Sequence, residues 1–128
     1  MSKGQKPARQ PLTLQDHLQR IRDQFPNIRP FREQNDLYWR DEGMDALKSG
    51  HISNAEQIFK KLIVAQPDHF DGYYGLSLAY KQQRQIQRAI LFADESLRLA
   101  QAFIDDGSLD PGNFESMRLH RHSLTPPA

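Results

Sequence analysis

Two closely spaced histidines, His120 and His122, are the first candidates for chemistry in this sequence. Imidazole binds metal ions and transfers protons near neutral pH, so a histidine pair can mark a metal site or a catalytic site. Residues two apart do not share a helix face, however, and the neighbouring Arg118 and Arg121 repel a cation. We therefore expect a loose basic tail here and no metal site.

The remaining candidate groups give no stronger indication of an enzyme. Asp105, Asp106 and Asp110 could attract Ca²⁺, but the regular ligand spacing of an EF-hand loop is missing, so a helix end and a turn explain them better. His51 and His69 fall in predicted turns between helices. The absence of cysteine excludes disulfides, thiolate metal sites and a cysteine nucleophile. No glycine-rich phosphate motif occurs either, so we expect no catalysis, metal, cofactor or small-molecule substrate.

Charge is distributed unevenly along the chain. Residues 1–32 carry seven Lys and Arg against two Asp, a net charge of +5, whereas residues 33–112 carry a net charge of −5. The cations that could follow a phosphate backbone are Arg20, Arg22, Arg29 and Arg32. No reading helix or aromatic sheet accompanies them, and the acidic body disfavours a broad footprint. A nucleic-acid-associated protein that uses its basic N-terminal segment is therefore the alternative function.

The secondary-structure elements that position these residues are predicted to be helices throughout. A stripe of Leu14, Leu18, Ile21 and Phe25 predicts a first helix, with Thr13 as its N-cap and Pro26 as its stop. Four further helices are predicted at about 33–48, 53–65, 68–83 and 86–104. No alternating polar and apolar run indicates a strand.

Cap signals and composition divide the chain. Ser53 and Glu56 form a sequence capping box, and Asp68 is the expected cap of the following helix. The expected parts are a disordered basic arm at 1–11, a helix and Pro-containing connector at 12–32, a repeat domain at 33–107, and a C-terminal tail at 108–128. In that tail, a turn at 110–113 precedes a short capping helix near 114–119, and residues 123–128 are expected to be disordered.

The two predicted hairpins are similar to each other at a shift of 34 residues. This shift places Trp39 on Tyr73 and Ala55 on Ala89, which preserves the chemical type of each pair. Small residues let paired helices approach closely, and aromatic residues fill the space beside them. An internal period of this length is typical of a helical repeat.

The period and these residue types resemble the tetratricopeptide repeat (TPR) over residues 36–103. The first unit supplies Trp39, Gly43, Ala55, Phe59 and Pro67, and the second supplies Tyr73, Leu76, Tyr80 and Ala89. Glu42, Ala93 and Gln101 depart from the family pattern. The resemblance implies a TPR-like α-solenoid of two hairpins with flanking N- and C-terminal helices. Because two repeats are few, the flanks or self-association must cover the open ends.

The family resemblance also implies a function. TPR proteins bind other proteins on a concave face formed by the first helix of each hairpin. We therefore expect a non-catalytic adapter, chaperone or assembly factor that binds a helix or peptide of a larger protein or complex. The residues expected in this groove are Leu37, Arg40, Met44, Leu47, Lys48, Asp71, Tyr74, Leu78, Lys81 and Gln82. A partner or the chain's own N-terminal helix must cover their apolar members.

The location expected from sequence is the cytoplasm, including the surface of a membrane-bound complex. The segment Met1–Pro11 lacks the apolar core of a secretory signal. No stretch approaches the roughly 18–20 apolar residues that a membrane span requires.

Overall fold

Helices account for the regular structure of this protein. The computed structural model describes residues 12–30 and 36–125, without the side chains of Asp36 and Leu37. Six helices and no strand occur in these ranges, which confirms the all-α expectation. The helices are α1 (Leu14–Gln24), α2 (Asp36–Lys48), α3 (Ile52–Ala65), α4 (Phe70–Gln82), α5 (Ile86–Asp105) and α6 (Pro111–Ser123). The predicted basic arm, residues 1–11, lies outside the described residues.

The first helix begins where the sequence predicts. Thr13 caps α1, because its Oγ1 accepts the backbone N–H of Asp16 at 3.1 Å. The Asp16 carboxylate accepts the backbone N–H of Thr13 at 3.0 Å, which completes a capping box. These bonds from Thr13 lower the pKa of Asp16. The helix ends at Gln24, two residues before Pro26.

Two predicted helix caps are wrong. Helix α3 begins at Ile52, so Ser53 lies inside the helix and does not cap it. Glu56 instead forms an ion pair with Lys60 at 2.7 Å and accepts the side-chain N–H of Gln83 at 2.7 Å. Its carboxylate is used for these contacts and not for a capping box. Helix α4 is capped by the residue after the predicted Asp68, since the His69 ring accepts the backbone N–H of residue 71.

The C-terminal segment is more ordered than its composition indicates. Asp110 is the N-cap of α6 and accepts the backbone N–H of Asn113 at 3.3 Å, with Pro111 in the first helical position. The predicted turn is therefore a helix start. Helix α6 continues through Ser123, and Leu124 after it is only 3% exposed. The expectation of a short helix followed by disorder from residue 123 is wrong for residues 123–125.

Phe59 of α3 is the centre of contact between α2, α3 and α4. Its side chain is fully buried, and its ring lies against the backbones of Gly43 in α2 and Gly75 in α4. A Cβ atom at position 43 would lie 2.6 Å from the ring, which is far inside van der Waals contact. Glycine at these two positions lets both helices pack directly on one aromatic side chain.

The helices pack in chain order. Each of α2 to α5 packs against the helix that follows it, and α2 also contacts α4. Helix α1 packs against α3, and His17 contacts the Phe92 ring of α5 edge-on at 6.0 Å. Leu18 and Ile21 enter the main core on this side. The N-terminal helix therefore lies against α3 and α5 and does not lie along α2 and α4.

Candidate functional site

A concave groove of about 1190 Å³ lies among the described residues. Helices α2 and α4 and the connection between α3 and α4 form one part of it, and α6 and the end of α5 form the other. Pro30, which follows α1, also reaches its edge. The groove lies along the helices that the sequence predicts to bind a partner.

Five of the ten predicted groove residues line this cavity. They are Arg40, Met44 and Lys48 of α2, and Asp71 and Tyr74 of α4. The side chain of Leu37 lies outside the described part of the structure. The other four predicted residues, Leu47, Leu78, Lys81 and Gln82, do not line the groove. The groove is therefore displaced toward the start of α4 relative to the prediction.

Helix α6 accounts for part of this displacement. The Lys81 ammonium donates to the Ser123 hydroxyl of α6 at 2.9 Å. The Tyr74 ring meets the His120 ring edge-on, with 5.5 Å between the ring centres. At the other edge, Leu47 is half-buried against the main core. Contacts within the chain thus occupy side chains that the sequence assigns to a partner.

The floor of the groove is apolar. Met44 and Tyr74 are half-buried, and Met117 of α6 is 3% exposed at the opposite wall. Phe70 and Phe103 pack edge-on at 5.3 Å near one end. These side chains offer an apolar surface that is open to a ligand.

Carboxylates outnumber cations around the groove. The acidic residues in its lining are Asp41, Asp45, Asp68 and Asp71, and the basic ones are Arg40 and Lys48. Arg40 pairs with Asp41 at 3.1 Å, but both side chains are largely exposed, so the pair contributes little stability. Within the described residues, the Asp45 carboxylate forms no ion pair. The groove thus has an excess of negative charge.

Ser77 and His120 form a buried pair that the sequence analysis missed. Ser77 Oγ donates to the Ala89 carbonyl at 2.6 Å, so it can only accept from His120 Nε2, which lies 2.8 Å away. Burial first, and the Lys81 ammonium second, lower the pKa of His120 to about 4. Ser77 is fully buried and its hydroxyl proton is already donated. The pair therefore connects α6 to α4 and is not a nucleophile and base.

The expected loose tail is thus wrong at His120, although His122 is exposed as expected. A signal was present in the sequence. Met117, His120 and Leu124 recur at spacings of three and four, which places them on one helix face. All three are buried.

Two further findings concern the kind of site. No group of three or more His, Cys, Asp or Glu residues among those described could hold a metal ion. Within the same ranges, no helix is both long enough and apolar enough to cross a bilayer.

Comparison with known proteins finds no family model that matches this chain, and no curated protein or solved structure with significant similarity to it. The groove, its charge and its buried contacts are therefore the basis for a functional proposal.

Proposed function

We propose that this protein is a non-catalytic interaction module of the TPR type, which binds a helix or extended segment of another protein in its groove. The observation that carries the proposal is the open groove itself, with an apolar floor and a charged rim along α2 and α4. Concave faces of helical repeats bind partners in this way. An adapter, chaperone or assembly factor of a larger complex would need such a surface.

The helix positions support the repeat part of the proposal. Helices α2 and α4 end at residues 48 and 82, and helices α3 and α5 begin at residues 52 and 86, which is the same 34-residue shift in both cases. Ala55 and Ala89, which this shift aligns, are both fully buried. Tyr73 is 2% exposed, whereas Trp39, its equivalent in α2, is half-buried. The equivalent residues therefore share an inward position.

The floor and rim define the chemistry of the partner segment. Apolar side chains would contact Met44 and Tyr74, whose exposed parts are costly to leave in water. Lys or Arg at the edges of the segment would lie near Asp45 and Asp68, where the groove has its negative excess. Among the described residues, α1 does not occupy the groove, because that helix is docked against α3 and α5.

Exchange of one groove residue tests the proposal. Met44→Glu places a charge on the apolar floor and should abolish capture of the partner from native lysate, as measured by affinity capture with mass spectrometry. Leu119→Glu is the matched control, because Leu119 is 62% exposed on α6 and does not line the groove. Circular dichroism should show that both variants remain helical.

The interpretation of the capture experiment depends on both the salt concentration and the variant. Partners that the wild type and Leu119→Glu retain at high salt, and that Met44→Glu loses, would support binding through the apolar floor. Equal recovery by folded Met44→Glu and by the wild type would contradict the assignment of the groove. Recovery of nucleic acid that disappears as salt rises would favour the alternative function of the basic segment.

A further inference from the structure

A second, smaller concavity lies between α1, α3, α4 and α5, and none of its residues lines the groove. Its volume is about 170 Å³. The polar side chains that line it are His17, Arg20, Gln24, Lys60, Tyr80 and Arg88. We call this concavity the basic pocket, since it contains three cations and none of its lining residues is acidic.

The three cations of the basic pocket come from three different helices. Lys60 of α3 is paired with Glu56, which lies just outside the pocket. Arg20 of α1 and Arg88 of α5 form no ion pair with any carboxylate in the described part of the chain. The Arg88 guanidinium lies over the Tyr80 ring at 5.7 Å. Arg88 also donates to the Tyr80 hydroxyl and is attracted by Glu56, but neither guanidinium is neutralised by an ion pair within the described residues.

The charge excess affects the neighbouring histidine. His17 is 8% exposed, and burial first, then Arg88 and Arg20, lower its pKa. Lys60 acts in the same direction, and only Asp16 on the same helix opposes them. The cations therefore repel an additional positive charge at this position. An anion in the pocket would relieve that repulsion.

We propose that the basic pocket binds a phosphate group, either as free inorganic phosphate or as the phosphate of a small monoester. Arginine presents a planar fork of N–H donors that matches phosphate oxygens, and lysine adds a point charge. The Gln24 amide and the Tyr80 hydroxyl lie in the same lining and supply neutral donors. The volume of about 170 Å³ is sufficient for one phosphate group.

A bound phosphate would connect α1 to the body of the protein. Helix α1 packs on α3 through a short contact, with Leu18 and Ile21 as its buried residues. Phosphate would bridge Arg20 on α1 to Arg88 on α5 and Lys60 on α3. A ligand that binds only the folded state raises the melting temperature as its concentration rises. The anion would thus stabilise the docked position of α1.

The test combines the titration of His17 with thermal unfolding of the full chain. Inorganic phosphate should raise the pKa of His17, followed by NMR of its ring, and should raise the melting temperature with saturation. Sodium chloride at the same ionic strength should do neither. Arg88→Gln should weaken phosphate binding by about tenfold or more, because it removes a charge-assisted contact.

Matched variants and a second ligand complete the test. Arg98→Gln removes the same charge from the same helix, but Arg98 pairs with Glu95 outside the pocket, so phosphate binding should be unchanged. Arg20→Gln should repeat the loss if Arg88→Gln does not fold. Tighter binding of glycerol 3-phosphate than of inorganic phosphate would identify a monoester as the ligand. Tighter binding of inorganic phosphate would identify the free anion as the ligand. An equal effect of chloride, or full phosphate affinity in folded Arg88→Gln and Arg20→Gln, would overturn the proposal.

Discussion

Acid should weaken the attachment of α6 to α4, because a neutral buried histidine joins the two helices. His120 Nε2 donates to Ser77 Oγ across 2.8 Å, and that hydroxyl donates to the Ala89 carbonyl at 2.6 Å. A proton added to His120 would place a charge beside the Tyr74 ring and near the Lys81 ammonium, in a site that is 8% exposed. Protonation therefore opposes the folded arrangement.

The magnitude follows from the two pKa values of His120. The pKa is about 6.5 in an unfolded chain, whereas burial and Lys81 lower it to about 4 in the folded protein. Between these values the unfolded state binds the proton more readily, so the free energy of unfolding falls as the pH falls through this window. The loss due to His120 is about 2 kcal/mol at about pH 5 and reaches about 3 kcal/mol near pH 4.

Urea unfolding followed by circular dichroism, at a series of pH values, measures this loss. His120→Gln is the informative variant, because a glutamine amide can donate to Ser77 but does not titrate. At about pH 7.5 the variant should be less stable by roughly 1 kcal/mol, since the contact of the histidine ring with Tyr74 is lost. His17, whose pKa is also lowered, is present in both proteins and cancels in the comparison.

The two stability curves should therefore converge and cross as the pH falls toward about pH 5. A difference between wild type and His120→Gln that stays constant from about pH 7.5 to about pH 5 would refute the reasoning, because it would mean that His120 titrates equally in both states.

Two core substitutions test the packing. Ala89→Leu should lower the free energy of unfolding by about 1–3 kcal/mol through overpacking. Ala102→Leu, on the exposed face of the same helix, should leave that free energy unchanged. Equal melting temperatures for the two variants would contradict the aligned positions of the hairpins. Leu124→Ala should lower stability by about 2–5 kcal/mol in urea unfolding, because Leu124 is 3% exposed within the main core. An unchanged urea midpoint would mean that Leu124 is not packed in the core and belongs to a disordered tail.

Periodicity in the sequence predicts most of the helices, because it reflects which face is buried. The stripe that includes Leu18 and Ile21 predicts α1, and the small residues Ala55 and Ala89 are fully buried as their alignment requires. Helix ends are less predictable. Ser53 and Glu56 have the sequence of a capping box, yet a contact with a residue 27 positions away uses the Glu56 side chain instead. A local sequence pattern cannot show that a residue distant in the chain, here Gln83, will bind the Glu56 carboxylate instead.

The candidate site was predictable only in part, because contacts between residues distant in the chain also determine which side chains line it. Met44 and Tyr74, which helical spacing predicts to share the groove face, both line the cavity. Leu78 and Lys81 do not line the cavity, and the Lys81 ammonium instead donates to Ser123 of helix α6, which was not expected to reach that residue. His120 was assigned to a loose tail because of its basic neighbours Arg118 and Arg121. Its spacing from Met117 and Leu124 indicates a buried face, but its partner Ser77, 43 residues earlier, is not revealed by any local pattern.

The position of α1 determines both proposed surfaces. Because α1 lies against α3 and α5, it does not fill the groove, and it contributes His17 and Arg20 to the basic pocket. The groove and the pocket share no lining residue. Met44→Glu should therefore leave phosphate binding unchanged, and Arg88→Gln should leave partner capture unchanged. Loss of both activities in either folded variant would mean that the two surfaces are coupled.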